Sequence, residues 1–367
     1  MKALVIGGTG PTGPFVIKGL LDRGYNVTIF HRGTHEVDLP ESVEHIHGDP
    51  HFMETLEQGL GQRTFDLVVS MYGRLRYVAR VMKGRTDRFI GIGGLPYEIL
   101  VTGDDAPGGI PVLIPETAPV FQDIERNKFL YLMAHSEQVV MEAHEEGHYK
   151  ATMLRYPSLV YGPRQLGPKE WSIIRRILDG RKQIIVPDGG LSLDTRAYTG
   201  NAAQAVLLAV DKPEISAGQI YNVGDEKVMS LREWIHIIAD TMDYELELLS
   251  LPYAVTQPSY AYAGRGHHLV MDTTKIKTEL AYQDLLPAEE ALQRTVKWYL
   301  DNPLERNGDM EQRLGDPFDY TVEDKLIKAY QEIVPELQEL GSVGYQWRHI
   351  YDHPDKPETA LDAKSFK

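Results

Sequence analysis

Val5-Ile6-Gly7-Gly8-Thr9-Gly10-Pro11-Thr12-Gly13 carries an apolar strand directly into glycines spaced G-x-x-G-x-x-G, and the rest of the chain is read outward from that junction. Gly7 lets the backbone turn tightly off the strand. Gly10 removes the side chain that would hold a phosphate away from the main chain, and Gly13 lets the following helix pack close to the strand. A pyrophosphate at such a turn faces backbone N–H groups and the positive end of a helix dipole. Pro14 suits an early helical position, where its missing N–H costs nothing. Glycines alone also suit a plain tight turn. The flanks decide for a dinucleotide cradle, because Lys2–Ile6 reads as a buried strand and Phe15–Leu21 as a helix with an apolar face. Gly7, Thr9, Gly10, Pro11, Thr12 and Gly13 are thus the first expected cofactor contacts.

Strands alternate with helices through the first half. The expected strands are Lys2–Ile6, Asn26–Phe30, Glu44–His47, Leu67–Ser70, Arg88–Ile92 and Thr152–Tyr156, with helices over Pro14–Arg23, Arg74–Lys83 and Phe129–Glu146 among them. Such alternation implies an α/β fold with a doubly wound parallel sheet, helices on both faces, and a ligand crevice at the carboxyl ends of the strands. Residues 1–163 form the expected nucleotide domain, to which 193–224 return. Residues 164–303 form mainly a smaller substrate lobe, and 304–367 a C-terminal extension with a helix near Val322–Leu340, bent or ended at Pro335.

Composition excludes several classes. The 367 residues are 42% hydrophobic, enough for a large core, and 38 basic against 53 acidic residues give a net charge of −15. That disfavours nucleic acid and anionic membrane as partners. Without cysteine there is no disulfide, thiolate catalysis or zinc–thiolate site. No apolar stretch is long enough to span a bilayer and the first strand begins at Lys2, so no leader is expected and the cytoplasm is the expected compartment.

After the second strand comes Ile29-Phe30-His31-Arg32-Gly33. An NAD-preferring protein usually places an acid at this strand end for the ribose 2′-hydroxyl, whereas an arginine suits a 2′-phosphate. His31 takes the acid's place and Arg32 follows, so NADP is the expected cofactor, with NAD the alternative. Asp49 could accept from the adenine amino group or could simply be the turn residue of Gly48-Asp49-Pro50. Met71 and Tyr156-Pro157-Ser158 follow strands four and six and are expected along the cofactor.

These residues and four later segments make the chain resemble the extended short-chain dehydrogenase/reductases, specifically the NAD-dependent epimerase/dehydratase group. The segments are Leu154-Arg155-Tyr156-Pro157-Ser158-Leu159-Val160-Tyr161-Gly162-Pro163, Val186-Pro187-Asp188-Gly189-Gly190, Ile220-Tyr221-Asn222-Val223-Gly224 and Ser230-Leu231-Arg232-Glu233-Trp234. The resemblance spans about residues 1 to 303. It implies a Rossmann domain with a small C-terminal substrate lobe, a substrate that is a sugar nucleotide or other small carbonyl or alcohol, and a homodimer built on two helices of that domain.

The family's chemistry rests on Y-x-x-x-K in a helix and a serine or threonine after the fifth strand, the lysine tuning a phenol that passes a proton as hydride moves. Counting back from Glu137-Gln138 puts Phe129 at the tyrosine and Met133 at the lysine, and Ile92-Gly93-Gly94-Leu95-Pro96-Tyr97 offers no serine. A register two residues on gives Tyr131-x-x-x-His135, but that rotates the pair about 200° around the helix, away from the face of Phe129 and Met133. Tyr131, His135 and Tyr97 are the candidate catalytic residues, with Tyr72 and Tyr156 as further strand-end phenols.

Three other groupings carry weaker readings. His45, His47 and His51 cluster in sequence, and no metal site is assigned to them. Asn201 reads as a helix cap. Tyr345-Gln346-Trp347-Arg348-His349-Ile350-Tyr351 reads as a lid, a dimer contact or plain packing. The expectation is an NADP-dependent oxidoreductase or epimerase/dehydratase-like enzyme for a small carbonyl, alcohol or sugar-derived substrate, with an altered proton-transfer site. The alternative is a non-catalytic NADP-binding sensor or scaffold.

Overall fold

The computed structural model describes residues 1–34, 37–71, 75–102, 112–256 and 267–342, with positions 344 and 350. The opening apolar run is strand β1 (Lys2–Ile6), which passes into helix α1 (Gly13–Asp22) and then β2 (Asn26–His31) and β3 (Glu44–His47). Helix α2 (Met53–Leu60), β4 (Phe65–Met71), α3 (Leu75–Val81) and β5 (Thr86–Gly93) follow. After the one-turn α4 (Ile99–Thr102) come the long α5 (Lys128–Glu145) and β6 (Lys150–Arg155). A distant strand, Gln219–Asn222, closes one edge, giving the order Gln219–Asn222, β6, β5, β4, β1, β2, β3, with every pairing parallel.

Period-two alternation explains why both faces are dry. Ala3 and Val5 join Ile29, Val69, Ile92 and Leu154 on the face covered by α1 and the helix Thr199–Asp211. Leu4 and Ile6 join Phe30, Val68, Phe89 and Met153 on the opposite face, under α2, α3 and α5. The order reverses between β1 and β4, so the crevice of a doubly wound sheet opens where β1 feeds the glycine turn.

Beyond β6, the parallel pair Gln183–Pro187 and Glu247–Leu251 lies outside the central sheet, with the helices Lys169–Leu178 and Leu231–Thr241. Residues Met1–Asp319 form one compact unit, and Tyr320–Lys367 another whose described element is the helix Thr321–Gly341. That helix continues through Pro335 rather than ending there. Proline removes one backbone hydrogen bond, and the turns on either side retain theirs. The aromatic tail segment, apart from Ile350, lies outside the described residues.

Candidate functional site: a glycine cradle and an apolar groove

The turn after β1 is built from backbone. Gly7 and Gly8 hold φ of +98° and +72°, left-handed values that favour glycine. Gly7 N–H donates to Phe30 O at 2.9 Å, Thr9 N–H to Gly7 O at 2.9 Å and Gly13 N–H to Gly10 O at 3.0 Å. A Cβ on Gly7 would stand 3.1 Å from Met71 O, and one on Gly13 only 1.9 Å from Gly8 O. Gly13 thus allows the first turn of α1 to close on the glycine turn itself, rather than on the strand as the sequence reading had it. A Cβ on Gly10 would meet nothing within 4 Å, so this glycine leaves open space, which fits an approaching phosphate. Pro14 occupies the start of α1, as its lack of an N–H favours. The resulting cleft, about 380 Å³, is lined by Gly7 to Thr12, His31, Arg32, Met71 and Val160, among others.

At its far end His31 terminates β2, is 3% exposed, and lies 3.1 Å from His45 through Nε2 and Nδ1. Arg32 is exposed and faces the cleft. Asp49 Oδ1 accepts from the His51 backbone at 2.9 Å and pairs with its Nδ1 at 2.7 Å, so the carboxylate is engaged in its own turn. Desolvation works against its charge, but the two His51 contacts outweigh that and hold it below the ordinary carboxylate range.

The second part of the site is a groove of about 700 Å³, whose lining includes Gly93, Gly94, Phe129, Leu132, Met133 and Met153. Helix α5 carries Phe129, Leu132 and Met133 of these. Its amino end is set by Asn127, whose side chain accepts from Leu130 N at 3.0 Å. Met133 lies against Gly94 so closely that a Cβ there would be 3.0 Å from its Sδ, and Phe129 is 72% exposed. The register that aligns Phe129 and Met133 is the one facing the strand ends.

The hydroxyl candidates fall elsewhere. Tyr131 and His135 stack on each other, centroids 6.0 Å apart and planes 13° from parallel, and neither lines the groove. Tyr97 is fully buried, its hydroxyl donating to Asn222 Oδ1 at 2.5 Å and accepting from Arg155 Nη1 at 3.0 Å. Burial raises the pKa of its phenol despite Arg155. Tyr156 sits in the core with its hydroxyl donating to Ala202 O at 2.7 Å, so the 156–158 segment can reach a ligand only through its backbone, Pro157 or the exposed Ser158. Tyr72 lies outside the described residues.

Beneath the strand ends runs a network that sequence reasoning met only as isolated letters. Arg155, last in β6, forms a two-pronged pair with Glu137 of α5, at 2.6 and 2.8 Å, and donates to Glu116 O at 2.8 Å as well as to Tyr97. Asn222 donates to Ile114 O and Asp272 O and takes Glu116 Oε1 on its backbone N–H. Burial alone would lower the arginine's pKa; Glu137's hydrogen bonds and charge overcome this and raise it. The pair therefore stays ionised and fixes α5 against β6. The E-Q, L-R and Y-N-V-G matches are parts of this one floor. Asn201 is not a cap: the helix begins at Thr199, and its side chain instead bridges Asp225 and both backbone groups of Leu286.

Residues 114–224 match the NAD dependent epimerase/dehydratase family. Among curated relatives, an uncharacterized Escherichia coli protein, YbjS, is 24% identical over 201 residues, covering 48% of this chain and 58% of its own length. The dTDP-D-glucose 4,6-dehydratase of Mus musculus is 25% identical over 276 residues, covering 73% and 72%. The chain thus spans little more than half the length of the first of these relatives. Among solved structures, dTDP-glucose 4,6-dehydratase from Bacillus anthracis in complex with NAD superposes with a TM-score of 0.63 at 17% identity, covering 82% of this chain and 97% of that one. UDP-glucuronic acid 4-epimerase from Bacillus cereus, in complex with UDP-glucuronic acid and NAD, gives 0.63 at 17%, covering 82% and 100%. Residues 114–224 thus match the NAD-dependent epimerase/dehydratase family in sequence, and 82% of the chain shares the fold of these solved dehydratase and epimerase structures.

Proposed function

We propose that the chain is an NADP-dependent enzyme of the epimerase/dehydratase type, acting on a small carbonyl, alcohol or sugar-derived substrate without the usual tyrosine–lysine relay. The observation that carries this reading is the pairing of an open, side-chain-free cradle at Gly10 with a groove at the ends of β5 and α5. Both are bordered by His51. The glycine turn would hold the pyrophosphate, Arg32 the 2′-phosphate, and Met71, Pro157 and Ser158 the other half of the cofactor. A nicotinamide bound there supplies or accepts a hydride. The chain's own contribution is to orient the reactants and exclude water from one side: Phe129 and Met133 give the groove an apolar wall and no proton.

With the hydroxyls of Tyr97 and Tyr156 committed to Asn222 and to Ala202 O, the proton is exchanged with water entering the groove. Tyr72, next in sequence to Met71, is the first phenol to substitute. Tyr131→Phe tests the other register and leaves turnover unchanged under this reading. A homodimer and a cytoplasmic setting belong to the same proposal, the former tested by sedimentation.

The second reading, a sensor or scaffold that binds the dinucleotide without turnover, is favoured by Phe129 and Met133 at the groove. The deciding experiment is a fluorescence titration with NADPH and NADH, then oxidation of NADPH across a carbonyl panel that includes nucleotide sugars. Binding with turnover of one substrate class is expected. Binding without oxidation assigns the protein to the sensor reading, and failure to bind either nucleotide overturns both.

A further inference from the structure

His31, at the far end of the cleft, belongs to a cluster of three histidines whose geometry dinucleotide binding does not use. His31 and His47 are register partners on the parallel strands β2 and β3, and His45 is two residues before His47. Lateral partners and residues two apart share one face of a sheet, so all three imidazoles project together. Their rings confirm it: centroids are 4.7 Å apart for His31 and His47, 5.1 Å for His31 and His45, and 6.4 Å for His45 and His47. One ring nitrogen from each lies within 4.8 Å of the others. Among the described residues this is the group of histidine or acidic donors close enough to hold a metal ion.

We propose that His31, His45 and His47 form a binding site for a divalent transition-metal ion of the zinc class. Imidazole nitrogens bound to zinc lie about 2.0–2.1 Å from the ion, which places tetrahedral neighbours about 3.3–3.4 Å apart. The His31 Nε2 to His45 Nδ1 separation of 3.1 Å is already close to that edge length. His47 needs only a side-chain adjustment, which its exposed position on the edge strand allows. His31 is buried and fixes the site from below, while the exposed His45 and His47 leave it an entry path and a fourth position for water. Three neutral imidazoles without cysteine select zinc, cobalt, nickel or copper over magnesium or calcium, which prefer oxygen. Ligation exchanges the 3.1 Å hydrogen bond between His31 Nε2 and His45 Nδ1 for bonds from both nitrogens to the ion, and displaces the 3.3 Å approach of Gly33 N–H to His31 Nδ1, because that nitrogen then carries the proton. His51, adjacent in sequence, is engaged by Asp49 and lies outside the group.

The proposal goes beyond the dinucleotide reading and is tested without any nucleotide. The full chain, carrying no polyhistidine tag and stripped with chelator, is titrated with Co²⁺ while visible absorption is recorded. One equivalent is expected to bind with the strong visible bands of four-coordinate cobalt, and Zn²⁺ to displace it. His45→Ala combined with His47→Ala, both at exposed positions that the fold does not need, lowers affinity by more than the roughly 10–100-fold that loss of an outer-shell partner alone costs. His51→Ala binds as the parent does. Cobalt that remains six-coordinate and unsaturable, or a double variant that binds as tightly as the parent, overturns the proposal.

Discussion

The cradle after β1 and the groove beside α5 at the end of β5 lie along the same edge of one sheet, with β4 between them, yet they are made of different material. The cradle is backbone: glycines at φ of +98° and +72°, carbonyls and N–H groups, with open space at Gly10. The groove is side chain, and its character depends on which residues α5 turns toward Gly93 and Gly94. A backbone device tolerates very few sequences and keeps its function wherever it keeps its shape. A side-chain device can lose its chemistry at two positions, Phe129 and Met133, while its frame persists. Binding and reaction are thus separable in this fold, and the separation can be tested.

The largest expected effect comes from rebuilding the relay. Phe129→Tyr with Met133→Lys should raise turnover of the best carbonyl substrate by about 10²–10⁴-fold, the usual worth of a positioned acid, with dinucleotide affinity unchanged. Steady-state kinetics that show no gain would break the contrast by moving the chemistry out of the groove. Next is the floor beneath the strand ends: Glu137→Ala strands Arg155 as a buried unpaired cation and should cost about 3–5 kcal/mol, read from the urea midpoint. Gly13→Ala forces a Cβ to 1.9 Å from Gly8 O, so about 1–3 kcal/mol of strain is expected. Its sharper reading is binding, since nucleotide affinity falls here and is retained in Phe129→Leu.

A pH effect belongs to neither region and has to be separated from both. Glu170 is wholly buried, one carboxyl oxygen has no hydrogen-bond partner among the described residues, and burial raises its pKa to about 7 from 4.5. The folded chain therefore holds a proton that the unfolded chain has released across that interval. The associated stability is complete below about pH 4.5 and is lost as pH rises through 7. Glu170→Gln should remove the slope and stabilise the protein at high pH by on the order of 1–3 kcal/mol, measured by denaturant unfolding at several pH values. In that background, turnover limited by water-mediated proton exchange stays flat across the same range. Smallest of all, Arg32→Ser should reduce the preference for NADPH over NADH by about tenfold or less, consistent with an exposed arginine worth about 1 kcal/mol.

How much of this was legible in the sequence followed the same divide. The cradle and the strands β1 to β6 announced themselves, because glycine spacing and runs buried on both faces are local signals. The register of α5 was also readable, since Glu137-Gln138 marks it within a few residues. The floor was not: Tyr97 meets Asn222 across 125 positions and Arg155 meets Glu116 across 39, and no local pattern announces such a meeting. The histidines make the same point. Sequence proximity grouped His51 with His45 and His47, whereas the parallel register of β2 and β3 replaces it with His31. Asn201 misled for a related reason, because its polar side chain serves a distant loop rather than its own helix end.

The distant strand Gln219–Asn222 has a consequence for the order in which the protein is made. Arg88 in β5 is buried with no carboxylate hydrogen-bonded to it among the described residues, its two Nη groups donating to Lys150 O, Thr152, Ala209 O and Ser216, while Tyr97 donates to Asn222. On a ribosome, the amino-terminal half therefore emerges with these two interior polar groups only partly met, by β6, until more than fifty further residues beyond β6 have been added. Long-range closure of this kind slows folding and exposes intermediates. Nascent chains halted near residue 200 should remain protease-sensitive in β5 and β6, and those extended past Asn222 should become resistant together, so that the second lobe acts as a timer on the completion of the first.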